Sequence, residues 1–184
     1  THPDSVAPIY FSLWFGYLEA FIYDDDFGKY KSQLVYPNGR ATIELMKRDT
    51  LFPLFDLKHT PEREDIRALC MKAFREMCHT ADTLKEKKWY QFKNTSATHL
   101  SRIPAFGETG IRIGGGHGIV NAASHQDGPS WRMVVHFSQP IEAYSMYHSG
   151  QSGNPGSPFY LNKLSDWAKG NYFKIRFMQP QDFQ

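Results

Sequence analysis

The sequence predicts an α+β fold, a helical first half followed by antiparallel strands. Three observations carry this. Apolar residues recur at three and four along residues 6–26 and again along 66–84. Strict alternation replaces that period later, most clearly from Trp131 to Phe137. A glycine-rich stretch, Gly107 to Gly118, stands between the two regimes. The 184 residues suit one domain, read here as a single unit with residues 1–106 mainly helical and 107–184 mainly strands.

The first helix is expected from Val6 to Asp26, capped by Asp4 or Ser5, with Phe11, Trp14, Phe15, Leu18 and Ile22 as its apolar positions. Asp24, Asp25 and Asp26 fall at its C-terminal end, where the dipole disfavours them. That end therefore either frays or finds cationic partners. Tyr36-Pro37-Asn38-Gly39 signals a turn, a short helix follows from Ala41 to Lys47, and Thr50 to His59 reads as a loop. The clearest helix comes next. Thr60 is its expected cap, Pro61 its first turn, and Ile66, Leu69, Cys70, Ala73, Phe74 and Met77 its apolar stripe, running on to Leu84. Short strands are expected at Ile111–Ile113 and Ile119–Ala123, then at Trp131–Phe137, Glu142–Tyr147 and Tyr172–Phe177. Ser157-Pro158 is expected to start a short helix carrying Leu161, Leu164 and Trp167, which Gly170 ends.

Composition excludes several classes. Apolar residues make up 41% and aromatics 15%, enough for a core and against disorder. The net charge is only +2, and the basic run Lys85 to Lys88 is broken by Glu86, so a nucleic-acid footprint is weak. No apolar run reaches the roughly 20 residues of a membrane span; Val6 to Tyr23 comes nearest and is broken by Pro8 and Glu19. Cys70 and Cys78 fall on one helix about 12 Å apart along its axis, too far for a disulfide, so both read as buried thiols. Thr1 is not a methionine and no signal peptide follows it, which suits a processed end or a piece of a longer chain.

Chemical motifs are few. An N-terminal threonine can attack an amide with its own amine as base, but Thr1 is followed by His2-Pro3-Asp4, a polar lead into a helix rather than a core strand. Gly114-Gly115-Gly116-His117-Gly118 lacks the lysine of a phosphate loop and precedes no helix, so it reads as a tight turn. His117, His125, Asp127 and His136 match no usual zinc spacing. Ser152 is followed directly by Gly153, unlike a nucleophile elbow, and a triad of Ser152, His117 and Asp127 has no support in spacing.

One segment is not generic. Ser149-Gly150-Gln151-Ser152-Gly153-Asn154-Pro155-Gly156-Ser157-Pro158-Phe159-Tyr160 resembles the G-Q-S-G-[ND]-P-x-S-P-H-Y signature near the C-terminus of the penicillin acylase family, with Phe159 in place of the usual histidine. Gly128 to Val135 resembles the family's G-x-S-x-R-M-V-V strand, and Val120-Asn121-Ala122-Ala123 its T-V-N-A segment. Thr98-His99-Leu100, Pro104-Ala105-Phe106-Gly107, Asp166-Trp167 and Gly170-Asn171-Tyr172 also look like family segments, in the right order, over about Trp89 to Tyr172.

The resemblance implies an N-terminal-nucleophile amide hydrolase with an αββα sandwich. In such enzymes a processed N-terminal serine attacks an amide carbonyl, its α-amine serves as base, and an oxyanion hole stabilises the intermediate. It further implies N-acyl substrates, a periplasmic or secreted location and, in some complete members, calcium. The nucleophile, oxyanion donors and calcium ligands of the family lie upstream of the matched stretch. No catalytic residue or metal ligand therefore carries over, and the expected partner is the remainder of the polypeptide or the other processed chain. The resemblance leaves a scaffold role, with Trp131–Phe137 as a returning strand and His117 and Asn121 as neighbours of the active site. Gly150, Gln151, Ser152, Gly153, Asn154, Pro155 and Ser157 read as a structural crossover. Its glycines would adopt conformations closed to other residues, and Gln151 and Ser152 would bond buried backbone groups. The rival reading is a stand-alone, non-catalytic binding or structural domain derived from that fold.

Overall fold

The structure, a computed structural model, describes residues 1–126 and 128–178. The chain forms two compact units, one of residues 6–85 and one of residues 1–5 with Glu86 onward. The boundary thus falls some twenty residues before the helix-to-strand division drawn from sequence.

The 6–85 unit is helical. Helix α1 (Ala7–Phe27) packs on α3 (Ile66–Thr83), and α2 (Gly39–Arg48) lies between them in sequence. Leu18, Ile22, Tyr23, Phe55, Ile66, Leu69 and Ala73 form the core. Each large side chain buried there contributes roughly 1.5–3 kcal/mol. Polar atoms inside are satisfied: Trp14 Nε1 donates to Cys70 O at 3.1 Å, and the Tyr23 and Thr42 hydroxyls bond at 3.0 Å. Cys70 and Cys78 are free thiols on α3, as spacing required, but half-buried rather than buried. Burial, with Asp65 nearby, raises the Cys70 thiol above its ordinary value.

Both expected caps are corrected. Neither Asp4 nor Ser5 caps α1, because Val6 holds that position without a side-chain bond and Asp4 is drawn to Arg112 and Lys88. Thr60 does not cap α3. Its hydroxyl donates to Leu57 O (2.8 Å) and bonds Glu64 Oε2 (2.9 Å), which closes residues 57–64 as a loop. Asp65 is the cap, accepting from Ala68 N at 2.8 Å, so the helix begins at Ile66. The turn signal at Tyr36–Gly39 is likewise the entry to α2, with Asn38 Oδ1 accepting from Ala41 N at 3.0 Å. The acidic end of α1 finds its cations: Lys31 lies 2.9 Å from Asp24, Lys58 pairs with Asp26, and the Lys58 N–H donates to Asp25 at 2.8 Å.

The second unit holds the short helix α4 (Trp89–Lys93), strands β1 (Trp131–His136), β2 (Glu142–Tyr147) and β3 (Phe173–Ile175), and helix α5 (Leu164–Lys169). The strands form an antiparallel sheet in the order β1-β2-β3. The register pairs Met133 with Ser145 and Ser145 with Phe173. Paired residues share a face. One face carries Arg132, Tyr144 and Met146, with Met146 packed against Ile111, Ile113, Ala123 and Trp167. The other carries Trp131, Met133, Val135, Ala143, Ser145, Tyr147, Phe173 and Ile175, without one charge. Trp131 and Met133 on that face are 63% and 49% exposed.

Three expectations fail here. Ile111–Ile113 and Ile119–Ala123 are not strands: Ile113 N bonds Ile111 O and Ala123 N bonds Asn121 O, both at 2.8 Å, so each segment folds back within three residues. The helix expected from Ser157 begins only at Leu164, because residues 150–162 bond among themselves. Gly170 does end it, at φ +78°. Helix α4 had no clear sequence signal.

Candidate functional site

The glycine run at 114–116 in the second unit is held from several sides. Lys93, at the end of α4, donates from Nζ to Ile113 O (3.1 Å) and Gly114 O (2.9 Å). Trp89, one turn earlier, donates from Nε1 to Gly115 O at 2.6 Å. Thr1 Oγ1 donates to Gly115 O (3.0 Å) and accepts from Gly115 N (2.8 Å). Gly116 N donates to Asn121 O at 3.0 Å, closing the loop on itself. Space allows nothing larger. A Cβ at Gly114 would lie 2.3 Å from Thr1 O, and one at Gly115, where φ is +84°, only 2.0 Å from Asn121 O. Burial pushes the Lys93 amine down to about 8, because taking a charge from water favours the neutral form.

His117 sits on the exposed tip of this loop with Gly118, Ile119 and the fully exposed Val120. Asn121 is half-buried at its base and accepts from Arg132 Nη1 at 3.3 Å. Arg132 Nη2 donates to Trp167 O at 2.8 Å, and the guanidinium lies near the rings of Trp167 and Tyr172. The two residues singled out from sequence thus belong to one loop but play different parts, one presented and one anchored. Sequence reasoning missed Lys93, Trp89 and Arg132 as its supports. Only the alternation that turned Arg132 away from Met133 hinted at its position.

The other candidates do not assemble. Thr1 Oγ1 is engaged by backbone on both sides, as an anchor. His125 Nδ1 lies 3.1 Å from Lys93 O, and His136 is exposed at the end of β1. No group of three potential metal ligands occurs among the described residues, and Asp127 lies outside them. Ser152 Oγ accepts from Asn154 N at 3.1 Å, and no hydrogen bond joins it to His117 among the described residues.

The Gly150–Ser157 segment is a self-bonded crossover. Gln151 N (2.8 Å) and Ser152 N (3.3 Å) both donate to Phe159 O, and Ser157 N donates to Asn154 O (2.9 Å) across Pro155. The side chain of Gln151 accepts from Asn162 Nδ2 at 3.2 Å. Gln151 and Ser152 therefore use their side chains on exposed local partners, not on buried backbone. The glycines also differ from expectation, since none of 150, 153 and 156 has a positive φ. Gly150 is required by close approach, as a Cβ would stand 2.1 Å from Phe159 O and Tyr160 O, whereas Gly153 has open space. Tyr160 OH bonds Phe106 O, and His99 Nε2 lies 3.4 Å from Gly153 O, so the crossover is tied to the 99–106 segment.

A family model described as penicillin amidase matches residues 1–182 of the chain. Among curated proteins, the acyl-homoserine lactone acylase QuiP of Pseudomonas syringae pv. tomato is 32% identical over 151 residues, covering 72% of this chain and 18% of that protein. The proteins of the same name from Pseudomonas fluorescens (strain Pf0-1) and Pseudomonas aeruginosa are 32% and 28% identical, each over 71% of this chain. The chain spans less than a fifth of the length of these relatives.

Proposed function

The chain belongs to the penicillin amidase family, and on that premise we propose that it is the scaffold portion of an amide hydrolase whose attacking serine lies elsewhere in a longer polypeptide. The uncharged sheet face of Trp131, Met133, Val135, Phe173 and Ile175 carries this reading. One face of the sheet already meets α5 and the Ile111–Ile113 segment, while Trp131, Met133 and Phe173 on the second stay 63%, 49% and 39% exposed, the side chains that a further layer would cover. The short span relative to the similar acylases agrees with it. In this reading the partner is the rest of the polypeptide, and the substrate of the complete enzyme is an N-acyl amine of the kind named for those relatives. Its reaction is hydrolysis of the amide to a carboxylic acid and an amine. The glycine loop brings His117, at its exposed tip, and Asn121, at its anchored base, near the reaction centre, and nothing in this chain attacks the carbonyl. A periplasmic or secreted location, and calcium held by upstream residues, belong to the same proposal.

Co-expression tests it. The remaining polypeptide, with its serine intact, should hydrolyse an N-acyl-homoserine lactone only when this chain is present, with fatty-acid release followed by mass spectrometry. Asn121→Ala should lower kcat about tenfold or more, and Thr1→Ala, which removes only a support of the loop, should reduce activity without abolishing it. Hydrolysis by this chain alone, lost on Thr1→Ala, would sink the scaffold role. Full activity without this chain would favour a separate binding domain.

A further inference from the structure

A cavity of about 330 Å³ opens in the second unit between the N-terminal segment, the glycine loop, β1 and the end of α5. Its walls carry His2, Arg112, Arg132 and Lys169 with the amide of Asn121, and no lining residue is acidic. Arg112 is already neutralised by Asp4, and its bond to Asp4 is the main reason that carboxyl sits below its ordinary value. Arg132 is not. Its bonded partners are neutral, Asn121 Oδ1 and Trp167 O, and its buried Nε has no acceptor. Among the described residues no carboxylate pairs with it. The carbonyl end of α5 offsets part of the charge, but six residues make a weak dipole. A guanidinium withdrawn from water without a counter-charge is costly, and a ligand can remove that cost.

We propose that this cavity binds a small carboxylate monoanion, with Arg132 and Lys169 as its charged partners. Charge sets the class as anionic: the guanidinium of Arg132, without a carboxylate partner among the described residues, and the exposed ammonium of Lys169 both favour a negative group. Shape agrees, because a guanidinium offers a carboxylate two parallel N–H donors. Asn121, on the same wall, holds the guanidinium through its Oδ1. Pro3 and Ala168 give apolar wall for a short alkyl group, and the volume is at the small end of ligand sites. The proposal stands whether or not the chain serves a hydrolase.

Thermal unfolding of the chain under sodium acetate tests it, with sodium chloride at matched ionic strength and inorganic phosphate as controls. Acetate should raise the midpoint saturably, as a ligand of the folded state does, and beyond either control. Arg132→Gln should abolish the effect. Because Arg132 also holds Asn121 and Trp167, Lys169→Ala is the second variant. It should weaken acetate binding several-fold while leaving the midpoint without acetate unchanged. Equal shifts from acetate and chloride, tighter binding of phosphate, or an unaltered acetate titration in Lys169→Ala would each overturn the proposal.

Discussion

Gly150 and Gly153 stand three residues apart in one motif, and their surroundings treat them differently. Gly150→Ala drives a methyl into two carbonyl oxygens and should cost at least about 2 kcal/mol, whereas Gly153→Ala should stay within about 0.5 kcal/mol. Urea unfolding of the two variants checks this, and equal effects would refute the close-approach argument. Lys93 carries a pH dependence. Its folded value of about 8 lies below its ordinary 10.5, so between those values the unfolded chain holds a proton that the folded chain has lost. Stability from this group therefore rises as pH climbs from about 8 to 10.5, by on the order of 3 kcal/mol at most. Lys93→Met should remove that rise, read as the difference between unfolding free energies at pH 7 and pH 10. The motif and its glycines were legible in the sequence. The reason for each glycine was not, because it depends on which carbonyl approaches from elsewhere in the chain.

At the scale of elements, periodicity located the long helices and the three strands of the described sheet, and it erred at helix ends and in two expected strands that do not form. Helix α3 shows why. Thr60-Pro61 and Asp65 both offer start signals, and Glu64 decides between them by accepting from Leu57 N (3.0 Å) and bonding Thr60. That bond from Thr60 is also the main reason the Glu64 carboxyl sits below its ordinary value. Asp65→Ala should cost about 1 kcal/mol and fray the first turn, while Thr60→Ala should leave helicity unchanged. Circular dichroism with urea titration separates the two, and the opposite ranking would restore Thr60 as the cap. The false strands at 111–113 and 119–123 have a similar origin. Ile111 and Ile113 are buried while Ile119 and Val120 are exposed, yet in both segments periodicity cannot tell a paired strand from backbone that bonds to itself two residues on.

For the whole molecule, the sheet face on which Trp131, Met133 and Phe173 stay exposed is the dominant fact. Its apolar side chains and the unpaired edge of β1, among the described residues, favour association in water. Light scattering of the chain by itself should show oligomers at micromolar concentration. Met133→Lys with Phe173→Lys should shift them towards monomer without loss of helix signal. A wild-type monomer would argue that the face needs no second layer.

The sequence by itself determined the class of the fold, the positions of its main elements and the family, because periodicity and short ordered motifs are local properties. Only the tertiary structure decided how the 113–116 loop is held, that Arg132 meets no carboxylate among the described residues, and which residues of β2 and β3 join Trp131, Met133 and Val135 on one uncharged face. Those facts arise where Thr1, Trp89, Lys93, Asn121 and Trp167 converge from distant parts of the chain, and no spacing along the sequence encodes that convergence.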